Sequence, residues 1–319
     1  MRDKPVTAAV VQAGSCGFDS AATIGKLGDL AREASSAGAE LAVFPEAFVG
    51  GYPKGIDFGL RLGSRSAEGR DIFRRYFDAA IALPGPELEA MQKTAKATGL
   101  HIVAGVIERA GGTLYCTAVF LGADGTFLGK HRKLMPTALE RAVWGVGDGS
   151  TMPVLSTPLG RIGAAICWEN YMPLYRSHLF AQGVELYCAP TVDEREEWQA
   201  SMRHIALEGR CFVLSACQHL RRRDLPADLD CAPGNDPEAL LIRGGSAIFS
   251  PLGDCLAGPV YEKDALLVAE LDPSEIARGK YDLDVAGHYA RPDVFRLEVD
   301  TRAKPVSSEI DAQDADPRS

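Results

Sequence analysis

Stretches with the pattern of β-strands alternate with stretches of helical periodicity through the first part of this chain. Strand-like runs cover residues 6–13, 41–44 and 101–107, and helical runs cover residues 20–36 and 87–98. The first helical run has one apolar face, formed by Ile24, Leu27, Ala31 and Ala34. Asp19 or Ser20 can cap its start, and Gly38 lies just past its end. This alternation predicts an α/β protein.

The middle of the chain adds antiparallel strands to this pattern. Residues 115–121 and 127–133 are β-like runs separated by Ala123-Asp124-Gly125, which is a hairpin signal. The chain then alternates as strand, helix, strand, helix and strand, over residues 162–166, 173–182, 186–189, 194–210 and 212–216. We therefore expect two stacked mixed β-sheets flanked by helices, a four-layer α-β-β-α sandwich.

Residues 219–244 interrupt the pattern, because they lack periodicity and contain Pro226, Pro233 and Pro237. We predict a long loop here between two core strands, which makes it a candidate for gating a site or for assembly. A further hairpin is expected from residues 246–250, through the turn 251–254, to a strand near residues 266–271.

The domain organisation follows from the absence of any repeat or compositional linker between these elements. With 46% apolar and 24% charged residues, the 319-residue chain has an ordinary globular composition. We predict a single domain over residues 1–300. Residues 301–319 are polar and rich in Asp, Ser and Pro, which is typical of a disordered tail.

Net charge limits the partners of this chain. A formal charge of −9 and a pI near 5.3 argue against nucleic acid, and the one tight basic run, residues 221–223, is interpreted as a solvated loop face. The longest apolar stretches are far shorter than the roughly 20 residues that cross a bilayer, so we expect no membrane span. The run 6–13 lacks a cleavage site, which favours a cytoplasmic protein.

The eight cysteines show no metal-ligand spacing. No Cys-x-x-Cys pair or Cys/His cluster occurs among them, so we expect free thiols in a reducing compartment, no structural zinc and no cofactor.

Cys167 stands where the strand-like run 162–166 ends, and Trp168, Glu169 and Asn170 follow it. A strand gives a rigid base, and the turn after it is expected to leave the sulfur exposed near backbone N–H groups, which suits a nucleophile. A small buried hydrophobe is the better interpretation for most of the eight cysteines. Position alone leaves both interpretations open for Cys167.

Two further segments carry charged residues at strand ends. Glu46 follows the second strand-like run and precedes a Gly-rich turn, where a carboxylate suits a cleft but also a helix cap or a solvated loop. Strand alternation makes His131 and Lys133 face one way and Arg132 the other, so at least one cation can point inward, although charged runs usually form solvated surface. Glu140 follows further along the same segment.

Together these segments resemble the nitrilase branch of the carbon–nitrogen hydrolase family, whose catalytic set is Glu, Lys, a second Glu and Cys. The resemblance covers nearly the whole chain and includes the runs 145–150, 185–193, 197–218 and 287–297. The order Cys-Trp-Glu is typical of true nitrilases rather than of the amidase branches. By segment, the resemblance implies a general base, a cationic stabiliser, a second positioning acid and a nucleophile at Glu46, Lys133, Glu140 and Cys167.

The implied chemistry is physically consistent. A thiol with a pKa of about 8.5 is only about 3% thiolate at pH 7, so the nucleophile needs a base such as Glu46. Negative charge would grow on the nitrile nitrogen during attack, where the ammonium of Lys133 stabilises it. The expected products are a carboxylic acid and ammonia, formed through a thioimidate and a thioester, with some amide if sulfur leaves early.

Several residues near the catalytic segments are candidates for substrate contact, although core packing is an equal alternative for the aromatic ones. They are Tyr52, Trp144, Trp168 and Tyr171 and, by resemblance alone, Pro190, Thr191 and Val192. The expected substrate is an aromatic or arylalkyl nitrile or a cyano-amino acid.

Two other functions stay open at this stage: an amidase of the same superfamily, and a catalytically silent binding or scaffold protein. The resemblance further implies a homodimer or a larger spiral homo-oligomer, with the loop 219–244 and a helix near residues 71–80 as candidate assembly surfaces.

Overall fold

Two β-sheets lie face to face in this protein, whose computed structural model describes residues 4–304. The first five strands are β1 (Val6–Gln12), β2 (Leu41–Val43), β3 (His101–Ala110), β4 (Thr113–Leu121) and β5 (Phe127–Arg132). The remaining strands are β6 (Val154–Thr157), β7 (Gly160–Ala164), β8 (Leu186–Thr191), β9 (Phe212–Cys217), β10 (His219–Arg221), β11 (Leu240–Phe249), β12 (Cys255–Tyr261) and β13 (Ala265–Leu271). The helices are α1 (Ser20–Ser36), α2 (Ala67–Ala79), α3 (Pro86–Thr98), α4 (Pro173–Ala181), α5 (Glu196–Gly209) and α6 (Ser274–Gly279).

Each sheet has parallel strands at its centre and antiparallel strands at its edges. The first sheet has the order β13-β1-β2-β3-β4-β5, and the second has the order β10-β11-β9-β8-β7-β6 with β12 paired to β11. Strands β1, β2 and β3 run parallel, as do β7, β8 and β9. Both sheets are therefore mixed, as the sequence predicts.

Side-chain alternation divides the apolar residues into three layers of core. On β1, Val10 belongs to the core between the two sheets, whereas Ala9 and Val11 pack with α1 and α3 on the outer face. Helices α4 and α5 cover the outer face of the second sheet, where Trp198 and Met202 are buried. The expectation of a four-layer α-β-β-α sandwich is confirmed.

Helix α1 begins and ends at the residues that the sequence predicts. The Asp19 side chain accepts a hydrogen bond from the Ala22 N–H at 2.9 Å, and Gly38 adopts a φ of 84° just beyond the helix.

The sequence does not predict strands β6 and β12, and the loop that it predicts over residues 219–244 is longer than the observed one. Strand β6 is only half-buried, and β12 contains Gly258 and Pro259, so neither shows clear alternation. The hairpin partner of β11 is thus β12 rather than the later strand β13. The predicted loop 219–244 is really a loop over residues 222–239, because its two ends, β10 and β11, pair with each other.

The interpretation of residues 221–223 as a solvated face is wrong for Arg222. Its side chain is buried and bonds within the loop to the carbonyl oxygens of Leu225, Pro226, Ala227 and Leu229 and to Asn235 Oδ1. Arg223 does lie at the surface, where it pairs with Glu238. A planar guanidinium with five donors can satisfy several carbonyl groups at once, so Arg222 shapes the loop from inside.

Some sequence expectations concern residues at the margins of the structure. The predicted tail 301–319 lies largely outside residues 4–304, and the domain boundary at residue 300 stays a prediction. No helix within residues 4–304 combines the length and the apolar character needed to cross a membrane.

We expect Arg222→Lys to loosen the loop 222–239, because an ammonium has three donors and cannot replace the guanidinium at all of its acceptors. Unsatisfied buried carbonyl groups cost about 1–3 kcal/mol, which favours local opening. The measurement is the rate of limited proteolysis within the loop. Arg223→Lys is the matched control and should behave as the unsubstituted protein; equal rates in all three proteins would contradict the structural role of Arg222.

Candidate active site

The four residues that the sequence singles out meet between the two sheets. Glu46 follows β2 and Lys133 directly follows β5, both in the first sheet, whereas Cys167 follows β7 in the second sheet. Glu140 lies in the 3-10 helix Ala138–Ala142. Strand ends from both halves of the sandwich therefore supply the site, and Glu46, Lys133 and Cys167 are almost completely buried.

Lys133 lies between the two carboxylates. Its Nζ donates to Glu46 Oε1 at 2.6 Å and to Glu140 Oε2 at 2.9 Å, and it stands 5.6 Å from the ring centre of Trp144. Burial disfavours the ammonium, but the negative charges, Glu46 first, outweigh burial and raise the pKa of Lys133 well above its usual range. Lys133 is therefore a fixed cation.

Glu140 is held in place by groups other than Lys133. Its Oε2 accepts a hydrogen bond from the Thr137 N–H at 2.6 Å, and its Oε1 accepts one from the Tyr52 hydroxyl at 2.7 Å. These two hydrogen bonds hold the Glu140 carboxylate in position, and Glu140 in turn holds the Lys133 ammonium.

Glu46 has one occupied and one free carboxylate oxygen. Oε1 accepts from Lys133 and, at 3.5 Å, from the Cys116 thiol, whereas Oε2 has no hydrogen-bond partner among residues 4–304. Burial raises the pKa of Glu46, although Lys133 opposes this, and a contact with Cys167 lowers it slightly. A buried carboxylate with a free oxygen is able to receive a proton.

The Cys167 thiol is buried, not exposed as the sequence suggests. The residue is 4% exposed and begins the 3-10 helix Cys167–Tyr171. Burial and the charge of Glu46 raise the pKa of the thiol well above its usual range, while Lys133 and a hydrogen bond from Thr191 oppose the rise. The resting group is the neutral thiol, which must lose its proton when sulfur attacks.

Three non-glycine residues in these segments have left-handed backbone conformations. Ala47, Ala138 and Cys167 have φ values of 49°, 48° and 50°. This conformation costs roughly 1–2 kcal/mol for an L-residue, and it persists only where the surroundings impose it. The surroundings of Cys167 include the side chain of Asn170, which donates to the Cys167 carbonyl at 2.8 Å.

Two adjoining cavities lead to these residues. The Cys167 cavity, of about 240 Å³, is lined by Tyr52, Lys54, Thr137, Glu140, Cys167, Trp168, Val192, Asp193, Glu194 and Arg195. The Trp144 cavity, of about 360 Å³, is lined by Tyr52, Pro53, Lys54, Gly55, Ile56, Asp57, Phe58, Thr137, Ala138, Leu139, Glu140, Val143, Trp144 and Ala232. They share Tyr52, Lys54, Thr137 and Glu140, so a ligand at Cys167 can extend past Glu140 into the larger space.

The candidate contact residues differ in their positions. Tyr52 and Trp144 contact each other edge-to-face at 5.8 Å, and Tyr52 lines both cavities. Trp168 and Val192 line the Cys167 cavity, where the Trp168 indole donates to Asp193 at 2.9 Å. Each of these residues stays a predicted substrate contact.

The other three candidates do not line either cavity. Thr191 is buried at the end of β8, where its hydroxyl accepts a hydrogen bond from the Asp193 N–H at 2.9 Å. Pro190 is buried within β8, and Tyr171 packs edge-to-face against Trp168 and Trp198.

Lys54 is a cavity residue that the sequence interpretation misses. It lies three residues after the two glycines of the turn that follows Glu46. A cation so close to Glu46 in sequence is the feature that could have indicated a place in the site. It lines both cavities and has no ion-pair partner among residues 4–304. Cys116 and Gln218, whose side chains bond to Glu46 at its carboxylate and its carbonyl, carried no local signal, because their role depends on contacts between distant strands.

Comparison with known proteins decides the family. Residues 7–281 match the carbon–nitrogen hydrolase family. This chain belongs to that family. A carbon–nitrogen hydrolase from Helicobacter pylori has a crystal structure that superposes with a TM-score of 0.71 at 20% identity, covering 92% of this chain and 97% of that one, which shows the shared fold.

Two relatives of this carbon–nitrogen hydrolase are much more similar in sequence. A nitrilase from Bradyrhizobium diazoefficiens is 57% identical over 311 residues, covering 98% of this chain and 97% of the relative. A bifunctional nitrilase/nitrile hydratase from Lupinus angustifolius is 56% identical over 308 residues, covering 95% and 88%.

We expect Gly105→Ala to displace the segment that carries Glu46. A Cβ on Gly105 would lie 2.2 Å from the Pro45 carbonyl oxygen and 2.7 Å from Glu46 Cα, which are backbone atoms that cannot turn away. Overpacking of this kind costs about 1–3 kcal/mol or more in the free energy of unfolding, measurable by denaturant titration. Gly112→Ala, which adds a Cβ with nothing within 4 Å, should leave the free energy unchanged; equal stability of both variants would contradict the prediction.

Proposed function

We propose that this protein is a nitrilase that hydrolyses an organic nitrile to the carboxylic acid and ammonia. The observation that carries the proposal is the buried set of Cys167 thiol, Glu46 carboxylate and Lys133 ammonium, of which Cys167 lines a cavity. Relatives that are 53% to 57% identical over most of their length are named nitrilases, which supports the same assignment.

Attack begins with transfer of the Cys167 proton to Glu46. Oε2 of Glu46 is the free acceptor, since Oε1 is bound to Lys133. Sulfur bonds to the nitrile carbon, one π bond of the C≡N group breaks, and the developing negative charge on nitrogen is stabilised by the Lys133 ammonium. Glu46 then returns the proton to nitrogen, giving a neutral thioimidate. Loss of one such donor typically slows a reaction about 10²- to 10³-fold.

Hydrolysis of the thioimidate consumes two waters. The first, deprotonated by Glu46, adds to carbon as the C=N π bond breaks, and Glu46 returns the proton to nitrogen, which gives a tetrahedral intermediate with an OH and an NH₂ group. Transfer of the hydroxyl proton to nitrogen through Glu46 then forms the C=O bond and expels ammonia. The resulting thioester is cleaved by a second water in the same way, and Cys167 regains its proton. Glu46 acts as base and acid in turn, which suits a carboxyl group whose burial raises its pKa.

The tetrahedral intermediate has two leaving groups. If sulfur leaves before ammonia, the product is an amide. The name of the lupin relative, a bifunctional nitrilase/nitrile hydratase, supports this branch, because hydration of a nitrile yields an amide. We propose that this chain also releases some amide.

Lys54 supports a narrower substrate class. Lys54, which has no ion-pair partner among the described residues 4–304, lines both cavities, and the Trp144 cavity has apolar walls that include Ile56 and Trp144. Among aromatic, arylalkyl and amino-acid nitriles, we favour those that carry a carboxylate, as 3-cyanoalanine does, because a carboxylate can pair with Lys54 while the nitrile lies at Cys167.

We also propose a homo-oligomer, a dimer or larger spiral, in a reducing cytoplasmic compartment. All eight cysteines are free thiols, which supports such a compartment. Light scattering tests the assembly.

The function is tested with a panel of nitriles and their matching amides, read by ammonia release with acid and amide products quantified separately. We expect faster turnover of nitriles than of amides, and a mass increase on Cys167 after brief incubation. Cys167→Ala should lose turnover, whereas Cys255→Ala should keep it.

Other outcomes contradict the proposal. Faster release from amides would identify an amidase, and binding without turnover would identify a silent binding protein. Persistent turnover by Cys167→Ala would disprove the mechanism.

We expect Lys54→Met to change substrate preference. Loss of a charge-assisted hydrogen bond of about 1.5–3 kcal/mol should lower kcat/KM for 3-cyanoalanine about 10- to 100-fold. The value for the neutral 3-phenylpropionitrile should change little, because methionine keeps the length of the side chain. An equal fall for both substrates, or none for either, would contradict the role of Lys54.

A further inference from the structure

His131 and Glu169 form a second ion pair beside the site. His131 lies on β5, two residues before Lys133, and Glu169 lies two residues after Cys167. Both side chains are 0% exposed, and neither lines the Cys167 cavity or the Trp144 cavity. The mechanism above makes no use of either group.

Glu169 accepts hydrogen bonds from both sides of the site. Its Oε1 accepts from the Leu134 N–H at 2.6 Å, and its Oε2 accepts from the Ile166 N–H at 2.7 Å. His131 Nε2 lies 3.1 Å and 2.9 Å from the same two oxygens. Each carboxylate oxygen of Glu169 thus accepts one backbone N–H and lies within hydrogen-bond distance of the same imidazole nitrogen.

His131 has acceptors at both ring nitrogens. Nδ1 lies 2.7 Å from the Thr151 carbonyl oxygen, and Nε2 faces the Glu169 carboxylate. The Tyr175 ring stacks on the imidazole at 5.2 Å, but its hydroxyl proton goes to the Ala164 carbonyl at 2.7 Å. A carbonyl and a carboxylate only accept, so an imidazolium with hydrogen on both ring nitrogens satisfies both contacts, whereas a neutral ring satisfies one of them.

We propose that His131 and Glu169 form an ionised clamp, imidazolium against carboxylate, that positions Lys133 and Cys167 relative to each other. The clamp joins the two sheets, since His131 and Leu134 belong to the β5 segment and Ile166 belongs to the segment after β7. Its members are positioning residues, because they act on the backbone on either side of the reacting groups.

The electrostatic surroundings are consistent with this clamp. Burial lowers the pKa of His131, but Glu169 outweighs burial and the pKa is raised overall. Tyr175, the other titratable group against the ring, is neutral because burial raises its pKa. A raised pKa means that the contribution of His131 to stability is complete below about pH 6.5 and is lost as the pH rises through the folded-state value.

The protonation state is tested on the unsubstituted protein by NMR of ¹⁵N-labelled histidine at pH 8. An ordinary histidine with a pKa of about 6.5 is neutral there, whereas His131 should keep both ring nitrogens protonated. Within residues 4–304, His219 also has a carboxylate partner, Asp264, and Asp264→Asn removes that partner. We expect a doubly protonated imidazole in both proteins; only neutral rings in the variant would overturn the proposal.

The positioning role is tested by Glu169→Gln, whose amide must turn its NH₂ group towards one of two backbone N–H donors. A displacement of about 1 Å between catalytic groups can cost about 10²-fold, so kcat should fall about 10- to 100-fold while KM changes less than about threefold. Glu108→Gln is the matched control: Glu108 is equally buried and accepts from Lys130 and Arg132 on the other face of β5. Its kcat should stay near that of the unsubstituted protein.

Two kinetic results would overturn the positioning role: an unchanged kcat in Glu169→Gln, or an equal fall in Glu108→Gln. The kinetic measurement rests on the proposed nitrilase function, whereas the NMR measurement does not. If the unsubstituted protein fails to hydrolyse nitriles, the proposed function is disproved and NMR still decides the clamp. If Glu169→Gln fails to fold, NMR again decides it.

Discussion

The ammonium of Lys133, held between Glu46 and Glu140 in a site nearly closed to water, is the interaction on which the rest of the site depends. A lone buried cation of this kind would be costly, and so would either carboxylate without it. The three groups are stable together because two oxygens stand within hydrogen-bond distance of one nitrogen. Burial is the first reason that the pKa values of Cys167 and Glu46 are raised, and the net negative charge of two carboxylates around one ammonium adds to the rise for both groups.

The sandwich brings these groups together from distant parts of the chain. The first sheet contributes the Glu46 carboxylate and the Lys133 ammonium, and the second sheet contributes the Cys167 sulfur. Contacts between the sheets fix the relative positions of these groups. Gln218, after β9, donates to the Glu46 carbonyl at 2.7 Å, and Gln12, at the end of β1, accepts from the Gly245 and Ser246 N–H groups. Ala47, Ala138 and Cys167 keep unfavourable left-handed backbone conformations because the surrounding packing stabilises them.

Local patterns in the sequence predict the layers of the fold, which the structure confirms. For the site, strand ends mark Glu46 and Cys167, and the two-residue period sets His131 and Lys133 on one face of β5. The joint assignment of Glu46, Lys133, Glu140 and Cys167 follows from the family resemblance and stays a prediction. Features that depend on tertiary contacts could not be predicted from local sequence. They are the burial of Cys167, the carbonyl partners of Arg222, and the antiparallel pairing of β10 with β11. In each case a polar or irregular segment is buried by an element far away in sequence, and periodicity cannot report such burial.

The eight free thiols have a consequence for the handling of this protein in air. Oxidation and alkylation require thiolate, and burial raises the pKa of Cys116, Cys188 and Cys217 as well as that of Cys167, with the pKa of Cys211 reaching about 12. These five buried cysteines therefore offer oxidants little thiolate at neutral pH. In the proposed mechanism, Cys167 loses its proton to Glu46 only as sulfur bonds to a bound nitrile, so that chemical damage to Cys167 would accompany turnover rather than storage.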